Sequence, residues 1–343
     1  MSLLAVRPVN PVLARELKER MRGRRAPIVL TIYLVILAAI LELVYQTRAG
    51  SSVGSFGAPV ATEVAGVGRT IFEWLVFFML LLVIFLVPGF TSGAIAGERE
   101  RQTLVPLQVT LLRPVSIIIG KISASMAFLG LLVVASLPLL SIAYLIGGVT
   151  LLQVVKATAA VLATGLVLAC LTVTCSAVIR RVQAATVVAY ALTLGLVVGT
   201  FIVWGAAGLV DSSRGSDSAN PPAQLLLLNP IVATADIIGP SANSGFNSNS
   251  PFRAIKDILL RDRNENVTIT TNARAFGPGL NGPGGLISAE PPIGFDRNGN
   301  PVFDQGASGV PFWVQSMGLL AALSALGVYL SARRLRTPAR EER

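Results

Sequence analysis

Six runs of apolar residues, each about as long as the ~20 residues needed to cross a ~30 Å hydrocarbon layer, constrain this chain more than any other feature. They cover Ile28–Tyr45, Ile71–Phe90 (continuing as helix to about Ala96), Ile122–Ile146, Leu151–Ile179, Ala184–Val210 and Val310–Leu330. A soluble core of this size would spread its apolar residues in amphipathic stripes. Charged residues make up 13% of the chain, about half the roughly 25% of a soluble domain. Residues 147–150 and 180–183 are long enough only for turns, so the third, fourth and fifth runs form an up-down-up group. At 1.5 Å per residue the fourth run is about 43 Å long and its ends project beyond the hydrocarbon.

The expected fold is therefore an all-α membrane protein with six transmembrane helices. An N-terminal amphipathic interface helix precedes them, and a large extracytoplasmic loop separates the fifth helix from the sixth. The interface helix opens at Asn10-Pro11, a good N-cap followed by a residue suited to the first helical position. Leu13, Leu17 and Met21 then recur on one face among Arg15, Lys18, Arg20 and Arg22, and Gly23 and Pro27 favour a break before the first span. The run after it is too long for a signal-peptide core and lacks a clear cleavage site.

Orientation follows from the basic residues. Placing both termini in the cytoplasm puts 18 of the 28 Lys and Arg, with six acidic residues, on the inside. The positive-inside rule selects that arrangement. Trp74, Trp204 and Trp313 all fall near the outer ends of their runs, where amphipathic rings favour the interface.

Three parts follow from this layout: residues 1–210 with a cytoplasmic loop at 96–121, residues 211–309 outside, and residues 310–343 with the last span and a basic tail. One third of the 99 residues in 211–309 are Asn, Pro or Gly, which favour turns and irregular backbone. Leu225–Ile238 within it is apolar but short, and reads as a re-entrant or interfacial helix. Val267–Thr271 alternates like a strand, and Asn298-Gly299 is a hairpin signal. A small cap and plain disorder are both open for this region.

The chemistry that the chain excludes is informative. Net charge is +10, but the basic residues sit in short blocks at the ends of apolar runs, so no nucleic-acid partner is expected. There is no histidine, which closes imidazole acid-base and metal schemes. Cys170 and Cys175, five residues apart, point about 140° from each other on a helix and cannot pair within it. Gly120-Lys121 ends like a phosphate-binding loop, but Val115 and Ile122 occupy positions that need Gly and Ser or Thr. Asp296, Asn298 and Asn300 start like a calcium loop, yet Pro301 and Ala307 replace the required Gly and Glu, so a β-turn fits better. Gly93-x-x-x-Gly97 and Gly195-x-x-x-Gly199 permit close helix contact. Glu73 and Lys156 are charges inside spans, near the outer lip. They either snorkel independently or form an outer-lip pair.

The loop between the second and third spans is the specific segment. Gly97-Glu98-Arg99-Glu100-Arg101-Gln102-Thr103-Leu104 leads into a mostly apolar stretch with one charge, Arg113, before Lys121. Such a stretch is expected to dock on something. It resembles the cytoplasmic loop of type-2 ATP-binding-cassette (ABC) export permeases, E-R-E-x-G-T-L-x-x-L-x-x-T-P followed by G-K. Glu98, Arg99, Glu100, Thr103, Leu104, Leu107, Thr110, Gly120 and Lys121 match in register; Gln102 replaces Gly, Pro106 is extra and Leu111 replaces Pro. Asn10-Pro11 with its basic helix, and Leu228-Asn229-Pro230, also resemble these permeases.

The resemblance implies a permease subunit of an exporter in a bacterial or archaeal plasma membrane, working with a second permease chain, the lipid bilayer and a separate cytoplasmic ABC ATPase subunit. The permease is then not itself an enzyme: ATP and Mg²⁺ belong to the ATPase, and this chain binds no cofactor or metal. The same resemblance makes Glu98, Arg99, Glu100, Arg101, Thr103, Leu104, Leu107 and Thr110 the residues that couple to the ATPase. A non-transporting scaffold of the same architecture, and an intramembrane enzyme, are the competing classes; no span carries paired carboxylates or a nucleophile with a base.

Overall fold

The computed structural model describes residues 25–49, 60–102, 114–213, 223–238, 250–252, 255, 258, 259, 294, 295, 301, 302 and 311–336. Among these residues, six helices are long and apolar enough to cross a membrane. They run Arg25–Ala49, Val60–Thr91, Pro114–Ile146, Leu151–Val178, Val182–Ser213 (interrupted by one π-helical turn, Gly195–Gly199) and Phe312–Arg336. They are called the first to sixth spans below. The N-terminal interface helix, like Val267–Thr271, lies outside the described residues.

The helices exceed the apolar runs that announce them. The second begins at Val60, not Ile71, and the third at Pro114, not Ile122. Hydropathy reports which residues sit in hydrocarbon, whereas the backbone ladder continues wherever it can satisfy its own N–H and C=O groups. Pro114 starts the third span, where a missing N–H costs nothing.

Span directions alternate, which gives the bundle two ends. The loop end carries residues 92–102, Lys121 and Arg180; the cap end carries Arg69, residues 147–150 and the start of the sixth span. The 147–150 turn reverses direction through Gly147 and Gly148 at φ 109° and 78°, conformations that cost a residue with a Cβ. Thr150 then opens the fourth span with a reciprocal box: its hydroxyl accepts from the Gln153 N–H, and the Gln153 side chain accepts from the Thr150 N–H. Gly68 of the second span abuts this turn so closely that a Cβ there would lie 2.1 Å from the Gly147 carbonyl oxygen.

The second and fourth spans form the centre. Each is 61% buried along its most apolar stretch, against 17% for the first and 22% for the fifth and sixth. Phe72, Leu75, Met79 and Val83 of the second span pack with Leu132, Leu140, Val161 and Leu168 in one apolar cluster. In the fifth span, Tyr190 donates to the Phe85 carbonyl at 3.0 Å, one turn before Pro88, whose ring weakens the ladder of the second span.

Part of the region expected to lie outside is packed inside the bundle. Pro230–Ile238 is a short helix with seven of its nine residues buried, and it packs against the fourth and sixth spans. Asn229 explains its position. Its Oδ1 caps the helix by accepting from Ile231 N–H, and its Nδ2 donates to the Val197 carbonyl and the Thr200 hydroxyl, each bond 2.9 Å. A π-turn breaks the regular helix ladder, and an unpaired carbonyl in hydrocarbon is expensive, so the amide both caps one helix and completes another. Gly195 and Gly199 bracket that turn, and a Cβ on either would touch nothing. Among the described residues they therefore do not make the close helix contact that their spacing permits. Farther along, Gly294–Phe295 and Pro301–Val302 pair antiparallel around the expected hairpin position.

Candidate functional site

At the loop end, residues 92–95 turn the chain out of the second span and a five-residue helix, Ala96–Glu100, follows. Ile95, its N-cap, supplies no side-chain acceptor. Ser176 of the fourth span does so instead: its hydroxyl oxygen accepts from the N–H groups of Ile95 and Ala96, both at 3.0 Å. Short side chains make this approach possible. Thr91 bonds Thr172 across the second and fourth spans, and Ser92 meets Thr186 of the fifth at 2.9 Å. A Cβ on Gly93 or Gly97 would sit 3.5 or 3.7 Å from Val182, so this pair of glycines does mark a helix contact.

The two glutamates of the segment are used within the chain. Glu98 pairs with Lys121 of the third span at 2.9 Å; the lysine side chain is 3% exposed and the glutamate 26%. Removing one partner from so shielded a pair is costly. Glu100 accepts from the Val182 N–H at 2.8 Å. Val182 opens the fifth span, whose own N-cap, Arg181, gives no side-chain bond. The carboxylate thus satisfies an orphan donor and complements the positive end of the helix dipole. Together these bonds fasten the short helix to the third, fourth and fifth spans.

The helix ends in a left-handed residue. Gln102 adopts φ 58° and its N–H bonds the Arg99 carbonyl at 3.1 Å. This is the position at which the similar permeases carry Gly, and the conformation is the one Gly adopts freely. The departure at Gln102 therefore keeps the turn and adds steric cost. Arg101 and Gln102 are exposed and Arg99 is half-buried. Thr103, Leu104, Leu107 and Thr110 lie outside the described residues, as does Pro106.

At the cap end Glu73 and Lys156, read from the sequence as either independent or paired, have separate surroundings. Glu73 is buried and accepts from Arg69 Nε at 2.8 Å, one turn earlier on the same helix, while its other oxygen accepts from the Ser250 hydroxyl. Lys156 is exposed on the fourth span. Arg69 also donates to the carbonyl of Ile238 at 3.3 Å, the last residue of the short buried helix. Phe252, fully buried, packs edge-on against Phe77. The acid is therefore part of a clamp that holds the segments between the fifth and sixth spans to the second span.

Sequence reasoning placed Glu98 and Glu100 in the site but not their partners. Ser176 and the Val182 N–H carry no sequence signal, because they lie about 80 positions away and a serine within an apolar run looks like any other. Lys121 was visible as part of the Gly-Lys pair, though not as the counter-ion of Glu98. Arg69 was missed because it stands just outside the apolar run. Among the described residues, no group of three or more His, Cys, Asp or Glu could hold a metal.

The sequence profile of ABC-2 family transporter proteins matches residues 11–277. No curated protein sequence matches the chain. Six apolar helices, a second-to-third-span loop fastened by its glutamates, and a profile that covers most of the length agree: this multi-pass membrane protein belongs to the ABC-2 transporter family, the permeases of ABC transporters.

Proposed function

We propose that the chain is the membrane-spanning subunit of an ABC exporter, in which the segment from Glu98 to Thr110 docks on a separate ATPase subunit and passes its movement to the spans. The observation that carries this reading is the fastening of Ala96–Glu100 to the third, fourth and fifth spans through Lys121, Ser176 and the Val182 N–H. A five-residue helix held on three sides cannot shift without loading all three spans. A mere anchor would need only its own span. On this reading ATP and Mg²⁺ sit in the partner, a second permease chain completes the translocation path, and both termini face the cytoplasm of the plasma membrane.

Because Glu98 and Glu100 hold the bundle, the groups left to meet the ATPase are Arg99 and Arg101, with Leu104, Leu107 and Thr110 beyond them. The test is the triple variant Arg99→Glu, Arg101→Glu, Leu107→Asp in the full chain. It should lose copurification of an ABC ATPase and stimulation of ATP hydrolysis, while thermal unfolding and membrane insertion match the wild type. In intact cells, with Cys170 and Cys175 changed to Ala, a cysteine at position 102 should resist an impermeant maleimide. Unchanged ATPase binding and stimulation would reduce the segment to an anchor.

A further inference from the structure

A groove of about 1050 Å³ opens between the third, fourth and sixth spans, lined by Val115, Met126, Leu166, Ala325, Val328 and Arg333 among others. Its volume lies just above the ~300–1,000 Å³ typical of ligand sites. The wall offers almost nothing to a polar ligand. Ser324 donates to the Leu320 carbonyl, with the Val167 carbonyl of the fourth span also in reach at 3.4 Å, and Ser123 donates to the Gly120 carbonyl, so both serine hydroxyls of the lining are spent on backbone carbonyls. The other polar groups of the lining are the Cys170 thiol, the Tyr329 phenol and Arg333, and Arg333, exposed at the loop end of the sixth span, is the one that carries a charge.

Length identifies the occupant further. The lining of the sixth span extends from Ala321 to Arg333, twelve residues or about 18 Å. Half of a ~30 Å hydrocarbon layer is about 15 Å. The groove therefore starts at one membrane surface, beside a guanidinium, and ends near the bilayer midplane. That is the reach of a lipid tail whose headgroup stays at the loop-end surface. A guanidinium with five N–H donors at the mouth suits the phosphate diester of any phospholipid, and its positive charge favours a headgroup of net negative charge over a zwitterionic one that carries its own cation.

We infer that this groove is a binding site for one acyl chain of an anionic phospholipid from the loop-end leaflet, with Arg333 as its headgroup contact. The preference for an anionic headgroup rests on Arg333 and not on the ATPase reading or on which face is cytoplasmic.

The experiment uses the purified full chain in bilayers of equal phosphatidylglycerol and phosphatidylcholine, followed by detergent extraction and quantification of the lipid retained on the protein. Phosphatidylglycerol should be retained over phosphatidylcholine by roughly fivefold, the ratio corresponding to about one basic residue near a membrane surface. Arg333→Gln should remove that preference. Ala325→Trp, which fills the groove from an exposed position on its wall, should lower retention of both lipids. Leu326→Trp, on the outward face beside it and 54% exposed, should retain lipid as the wild type does. Equal retention of the two lipids by the wild type would overturn the inference. So would an Arg333→Gln variant with wild-type preference, a surface change that does not depend on how Ala325→Trp folds. Dissociation of a dimer by Ala325→Trp with no change in retained lipid would assign the groove to a second copy instead, and would also overturn it.

Discussion

Two short helices of this permease do not cross the membrane, and they solve one problem in different settings. Ala96–Glu100 at the loop end presents Glu100 to the Val182 N–H, capping the fifth span. Pro230–Ile238 at the cap end presents Asp236 to the Trp313 N–H at 3.0 Å, capping the sixth. Each lends a carboxylate to a span that lacks a cap of its own in this geometry, at the positive end of the helix dipole. Their surroundings differ. The buried helix is held along its length, by Asn229 at its start and by Arg69 at its last carbonyl. The loop-end helix is fastened by its glutamates and by Ser176, while Arg101 and Gln102 face outward. One element is wedged into the bundle; the other is attached to it with a side left over for something else. On the proposed reading the first is a structural wedge and the second a docking element.

The strongest way to break the comparison is to disable the clamp at the cap end. Glu73→Met would leave Arg69 without its carboxylate in a site where the two side chains are 1% and 12% exposed. The expected loss is about 3–5 kcal/mol, read from unfolding of the purified chain. A loss below about 1 kcal/mol would show that the wedge does not need its clamp.

At the loop end the corresponding change should cost less, because Glu98 is 26% exposed. Glu98→Leu should cost about 3 kcal/mol by taking its carboxylate from Lys121, and the double change with Lys121→Met should recover much of it. The measurement is a double-mutant cycle on stability. Additivity would mean that the pair does not act as a unit, and would remove one of the three fastenings on which the coupling reading rests.

The smallest effect sharpens the contrast without cutting a bond. Gln102→Gly should stabilise the chain by about 1 kcal/mol, because a left-handed residue with a Cβ is replaced by one without. Thermal unfolding should move upward while the Glu98–Lys121 pair is untouched. A destabilised variant would show that the Gln102 side chain contributes more than its backbone strain costs.

Much of this molecule is decided locally, and that part could be read from the sequence alone. An apolar run long enough for hydrocarbon must become a helix there, since no other open backbone satisfies its hydrogen bonds in lipid. This decides the six spans, the turn at 147–150 and the presence of a short apolar element within Leu225–Ile238; the turn read at 180–183 is shorter, because the fifth span already begins at Val182. The family profile also agrees with the family resemblance drawn from the sequence.

What the sequence could not decide is which faces meet. Glu73 and Lys156 have similar depths by residue count, but depth does not give direction around a helix. Each residue turns the face by about 100°, so the partner of a charge depends on how every helix is rotated and packed. The packed bundle buries Glu73 beside Arg69 and leaves Lys156 exposed on the outer face of the fourth span. The same rotation brings Ser176 under Ala96 and Lys121 beside Glu98, and leaves the third, fourth and sixth spans apart far enough to form a groove. Hydrophobicity is a property of segments and can be summed along the chain, whereas hydrogen bonds and ion pairs need two groups at one point in space, and only tertiary structure supplies that point.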